Sequence, residues 1–503
     1  STFAADSSID VTDVSSVDDT QNIEIAHDDS SQEDVEINNL QADEDPFYLL
    51  NSRIINKFNL GYKNYTLGGN YKHFINDIDV INITNHSVVI DGAGHTINAD
   101  GRSGVFHISG NGVTIKNINF INCDDCAIYW EGRGANLINC TFTNSYSDNN
   151  GGAVYLAESY GNVNGCNFIN SSSGGYGGAI YLGGNSLTSI TSITNCNFIN
   201  SFSLNGGGAI GGNDRVNISG CNFTSCIASW SGGAIYFVYT MINFSDCNFV
   251  NCSSRVGGAI YLNYTTGEII GCNFTNSSSV ITAGAIYWNT TDGWIISDGK
   301  VIGCNFINSS SGGYGGAIYL TGANASVSDC NFTNSNSTYG GVIYCNSTGS
   351  VSDCTFTNTL AEDGGAIYWK GSDGIIVGCN FTNSNASSGG AIYLYGTAIT
   401  LDCDFINTTA KYGGAIYSYN TDCSISTCDF INTSADDGGA IYCYNTEGSV
   451  SDCTFINTSA DDGGAIYWNG IDGSVSDCTF TNSNASSGGA IYWNGIDGSV
   501  SDC

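Results

Sequence analysis

Cys428-Asp-Phe-Ile-Asn-Thr-Ser-Ala-Asp-Asp-Gly-Gly-Ala-Ile-Tyr442 is followed, 25 residues later, by Cys453-Thr-Phe-Ile-Asn-Thr-Ser-Ala-Asp-Asp-Gly-Gly-Ala-Ile-Tyr467. Working outward from this pair, Cys-x-Phe recurs from Cys140 through Cys166 and Cys196 to Cys478, and Cys503 opens a further copy. Gaps run from 22, counted from a degenerate copy at Ile118, to 32, and the last four are all 25. Ten or eleven residues after each Cys stands Gly-Gly-Ala-Ile-Tyr or a near variant, and three residues before it an apolar residue such as Ile425, Val450 or Val475. Each copy thus holds three short apolar stretches separated by Gly, Asn, Ser and Asp, and none has the length or 3.6-residue period of a helix. In Cys-x-Phe the spacing of two puts Cys and Phe on one face of a strand. A repeat of this length with three strands matches one coil of a right-handed parallel β-helix, a single-stranded β-solenoid, so the chain reads as all-β. Like residues then stack over like at a rise of about 4.8 Å, and sixteen copies make a rod on the order of 75 Å long. One coil cannot cover its own inner face, but its neighbours can. Each stacked Phe, such as Phe430, Phe455 and Phe480, then contributes roughly 1.5–3 kcal/mol by burial.

Composition agrees with a turn-rich stacked chain. The 503 residues include 66 Gly, 22 Cys, 29 Tyr and 23 Phe, with one Pro and one Met, and only 12% are charged. The formal net charge of −35 repels nucleic acid and anionic lipid, which need Lys and Arg contacts, while it attracts cations. No apolar run is long enough to span a bilayer. Residues 1–45 are acidic and lack Lys and Arg, and read as a disordered leader. Residues 46–117 are expected to form an N-terminal cap and first coils, with Ile90–Ile97 as one coil. Residues 118–503 form the repetitive β-helix, expected to be C-terminally incomplete because the sequence stops at Cys503, inside a repeat.

The paired Phe-x-Asn and Gly-Gly-Ala-Ile motifs resemble the repeats of chlamydial polymorphic membrane proteins. With Cys before Phe-x-Asn and Tyr after Gly-Gly-Ala-Ile, the chain looks still more like adhesin-like surface proteins of methanogenic archaea. The resemblance covers roughly residues 60–503. It implies a secreted, extracellular β-helix on the cell surface that attaches to other cells or to surface glycans, with no defined ligand and no catalytic activity. The alternative is a β-helix polysaccharide lyase or glycoside hydrolase, which would show a coil that departs from the pattern with convergent carboxylates. Near-identical copies, such as Cys166–Leu182 and Cys304–Leu320, look instead like length extension.

Fifteen cysteines occupy the ladder position, among them Cys428, Cys453 and Cys478. In-register neighbours sit farther apart than a disulfide's Cβ atoms, near 3.8 Å, so the ladder is expected to be a column of buried thiols. Off the ladder, Cys226 and Cys252 occupy equivalent positions on adjacent coils and are the candidate disulfide. Cys123 and Cys126 form a lone Cys-x-x-Cys, which does not make a zinc site. Asp437 and Asp462 precede Gly-Gly in consecutive coils; as turn residues they are solvated first and a weak Ca²⁺ site second, the one cofactor entertained. Five of the seven Trp follow Gly-Gly-Ala-Ile-Tyr or its variants. Tyr and Trp there have opposite parity, so one set faces out. Trp369, Trp468 and Trp493 are taken as the outward set, and with Tyr467 and Tyr492 as the candidate ligand-binding residues. Asn432 and Asn457 are expected to form a hydrogen-bonded ladder at a coil corner. Asn222, Asn273, Asn331 and Asn380 head Asn-Phe-Thr glycosylation patterns. The five His, all at or before His107, carry no metal-ligand spacing.

Overall fold

The computed structural model describes residues 47–50, 63–73, 80–158, 160–184, 189–290 and 298–503. The acidic stretch 1–45, read above as a leader, and part of the expected cap at 46–117 lie outside the described residues.

The described residues form a right-handed parallel β-solenoid of about 17 turns, and no helix occurs among them. Coil Cys453–Asp477 is representative. Strand Thr454–Ile456 carries Phe455 inward, Ile466–Asn469 carries Ile466 and Trp468 inward, and Gly473–Ser476 carries Val475 inward. The last two strand types share one sheet, because Ile318–Ser328 and Ile343–Ser352 each run through both positions without a break. Register is strict. Phe405, Phe430, Phe455 and Phe480 pair in succession, as do Tyr417, Tyr442, Tyr467 and Tyr492. The Phe430 and Phe455 rings stack with centroids 4.8 Å apart and planes 4° from parallel, so the ring column follows the strand spacing.

The corners explain the polar residues between the strands. Asp452 and Asn457 adopt φ of 54° and 55°, and Gly463 66°. Asn, Asp and Gly are the residues that tolerate this left-handed region. The second Gly of the pair is required for another reason: a Cβ on Gly439 would lie 2.1 Å from the carbonyl oxygen of Gly464 in the next coil. Gly-Gly is therefore a turn followed by a close approach. At the Asn corner, Asn457 donates from Nδ2 to Oδ1 of Asn432, and Asn432 does the same to Asn407, each at 3.1 Å. On the strand face a second amide column runs from Asn331 through Asn305 to Asn273, with bonds of 2.9 Å.

A candidate binding face

Five of the tryptophans follow Ile-Tyr on an inward parity, and the expected outward orientation of Trp is corrected by the structure. Trp369 and Trp468 are fully buried, as are Trp130 and Trp288. Trp493, in the last coil, is half-buried and stacks on Trp468 with centroids 5.3 Å apart. The reason is local. Ile466 and Trp468 are two residues apart on one strand, so the strand that buries the Ile buries the indole too. The indole fills the corner beside a glycine: a Cβ on Gly473 would sit 2.2 Å from the Trp468 ring, and one on Gly374 2.2 Å from Trp369. The intervening tyrosines face outward. Tyr467 lies between Tyr442 and Tyr492 with ring centroids 4.6 and 4.9 Å away, and partial burial, then Tyr492, Asp437 and Asp462, raise its phenol pKa.

The cysteine ladder lies in the core. Cys428, Cys453 and Cys478 are buried, and each thiol donates at 3.1 Å to the carbonyl two residues earlier, on Ser426, Ser451 and Ser476. The disulfide expected between Cys226 and Cys252 is not formed in the structure, where both are free thiols. They replace serine in an interior column with Ser201 and Ser277, and each donates to backbone of the preceding coil, on Phe198 and Phe223. In-register side chains run side by side rather than toward each other, which disfavours the bond. Asp437 and Asp462 pair on adjacent coils. Burial, then the neighbouring carboxylates, hold the Asp437 carboxyl above its ordinary value, with Lys411 acting the other way. Among the described residues no group of three or more His, Cys, Asp or Glu side chains is placed to hold a metal ion.

The site that breaks the pattern lies elsewhere. Eleven residues separate Cys221 from Gly232 and Cys272 from Ala283, but ten separate Cys247 from Gly257. The short coil therefore has one residue fewer than both neighbours between its Asn corner and its Gly turn. Strand Ser253–Val256 absorbs the mismatch with a register shift between Ser254 and Val256 against Ser278–Thr282. On the other side, Ile227 pairs with Ser253 and Ser231 with Val256, leaving three residues opposite two. Bulges of this kind re-aim side chains. Beside this bulge Trp230, Arg255, Val280 and Ile281 lie exposed, at a turn that is also exposed at Leu204 in the preceding coil.

Trp230 is 54% exposed and Val280 71%, and the Arg255 guanidinium lies over the Trp230 ring, 4.9 Å from its centroid. Ser253 and Ser278 add hydroxyls, and a shallow hollow of about 580 Å³ opens along Ile227, Arg255 and Val280. Phe202, Leu204 and Ile227 extend the exposed apolar surface onto the preceding coils. Such a patch joins a flat aromatic surface, a fixed cation and short hydroxyl groups. It can stack on a ring and hydrogen-bond its substituents at once.

Comparison with known proteins bears on the scaffold that carries this face. The family model described as a right handed beta helix region matches residues 258–430 and 316–503. The repeat is a β-helix by sequence as well as by structure. No curated protein matches the chain. Among solved structures, the complex of alginate lyase AlyF-OU02 with G6 is similar at 11% identity, covering 74% of this chain and 84% of that one, with a TM-score of 0.35.

Trp230 and Arg255 were not singled out by the sequence reading. Two signals for them were present: Trp230 is a tryptophan outside the Gly-Gly-Ala-Ile-Tyr context, and the Cys-to-Gly spacing drops by one beside it.

Proposed function

We propose that the chain is an extracellular attachment protein of the cell surface, and that the bulged face around Trp230 and Arg255 binds saccharide on other cells or surface polymers. The observation that carries this reading is the exposed Trp230 ring held under Arg255 on a scaffold where Trp130, Trp288, Trp369 and Trp468 are fully buried. A sugar ring offers an apolar C–H face for the indole and hydroxyls for Ser253 and Ser278. The near-identical coils on either side supply reach. No helix among the described residues is long and apolar enough to cross a membrane.

The test is a glycan-array and whole-cell binding screen with the purified chain, with and without Ca²⁺, and with polymer cleavage assayed on the same panel. Binding without cleavage is expected, with Trp230→Ala weakening it about tenfold or more, as for a truncated aromatic anchor. A Ca²⁺ requirement would bring Asp437 and Asp462 into the account. Cleavage of any polymer would replace attachment with the polysaccharide-degrading alternative.

A further inference from the structure

Two cysteines off the ladder depart from the repeat at complementary places. In strand Ile441–Tyr444, Cys443 takes the inward position that holds Leu394 or Trp468 in other coils. Cys423 opens strand Cys423–Ser426, where its register partners are Ala398 and Gly448. Both side chains are fully buried, and their sulfurs lie 3.2 Å apart. That is about 1.2 Å longer than a disulfide bond.

Their relation differs from that of every ladder pair. Cys443 lies directly over Ser418, and Cys423 directly under Gly448. The two thiols therefore approach diagonally, from successive coils, across one interior corner. Gly448 above Cys423 contributes no side chain to the space between them. In-register cysteines such as Cys226 and Cys252 run parallel, whereas these two converge, as a disulfide requires.

We infer that Cys423 and Cys443 form a disulfide when the chain folds under oxidising conditions, stapling the coil that starts at Cys403 to the one that starts at Cys428. The two thiols release two protons and pass two electrons to an external disulfide, such as oxidised glutathione. One cysteine first exchanges with that disulfide, and the thiolate of the other then displaces the small thiol. Burial pushes the Cys443 thiol well above its ordinary pKa. Exchange therefore takes place before the coils close over the pair, and the finished bond is shielded from reductants.

The test is to refold the full chain with oxidised glutathione, denature it, alkylate the free thiols and map the peptides. The expected result is one linked peptide pair joining Cys423 to Cys443, two hydrogens lighter than the reduced pair, with the ladder cysteines alkylated. Alkylation of both Cys423 and Cys443, or a bond from either to a ladder cysteine, would overturn the inference. As a second readout, the oxidised chain should melt several degrees above the reduced one, and Cys443→Ser should abolish that difference. A difference that persists in the variant would also count against the bond.

Discussion

Trp230 and Trp468 show how far one residue type can diverge within a repeat. Trp468 lies two residues after Ile466 on a strand whose parity is fixed by the core, so its indole fills a corner that Gly473 leaves open. The parity of Ile and Trp was legible in the sequence, as was the Gly five residues after Trp369, Trp468 and Trp493. Opposite parity of Tyr and Trp alone does not say which set is inside; the neighbouring Ile does. Charge is read the same way at this scale. Asp404 pairs with Asp429 on the next coil, and desolvation, then that like charge, raises its carboxyl above 3.8. A carboxyl with a raised folded pKa favours folding in its protonated form. Its contribution is fully present below 3.8 and is lost as pH rises through the folded value. At neutral pH Asp404 thus opposes folding. Asp404→Asn is expected to stabilise by roughly 0.5 kcal/mol at neutral pH, the size of a cross-strand like-charge pair. In urea titrations that gain should vanish near pH 3; an equal gain at both pH values would contradict the account.

At the scale of the coil, the spacing between Cys and Gly-Gly governs both regularity and site. Removing residues 453–477 takes out one whole coil and leaves Asp452 joined to Cys478 in the original register. Nearest-neighbour stacking predicts that this shortened chain still unfolds cooperatively, with a melting temperature within a few degrees of the parent. Removing one residue more or fewer leaves a coil of 24 or 26 residues, lengths the chain already uses from Cys330 to Cys354 and from Cys304 to Cys330, and a local register shift absorbs the difference. That variant should still fold, with a lower melting temperature than the exact one-coil deletion, as followed by circular dichroism. The opposite operation tests the binding face. One serine inserted between Ser254 and Arg255 restores the eleven-residue spacing of the flanking coils. It should erase the bulge, leave stability unchanged or higher, and abolish binding by the Trp230 face. Retained binding would detach the bulge from the proposed function. The fold was readable at this scale because the period, the Cys-x-Phe parity and the Gly-Gly turns all agree. The binding face was not, because a one-residue deficit has meaning only when the neighbouring coils are seen beside it.

For the solenoid as a whole, the same stacking that hides the Phe column hides the thiols. All 22 cysteines are free in the structure, and all but Cys503 are buried. Desolvation pushes the Cys345 thiol up to about 12, which leaves almost no thiolate at neutral pH. In the reduced chain a thiol reagent should therefore label Cys503 at once and the interior cysteines only on denaturation, counted by intact mass at increasing denaturant. Early labelling of ladder positions would show that coils open locally. The near-copies that make the core uniform have a second effect, on inheritance rather than stability. Where neighbouring copies are as alike as Ile431–Tyr442 and Ile456–Tyr467, one coil apart, unequal recombination between their coding segments would add or remove a single coil. Each event changes the length by a step of about 4.8 Å and leaves the coils around Trp230 untouched. Reach is then a quantised trait that a lineage can tune in single steps, independently of what the Trp230 face recognises.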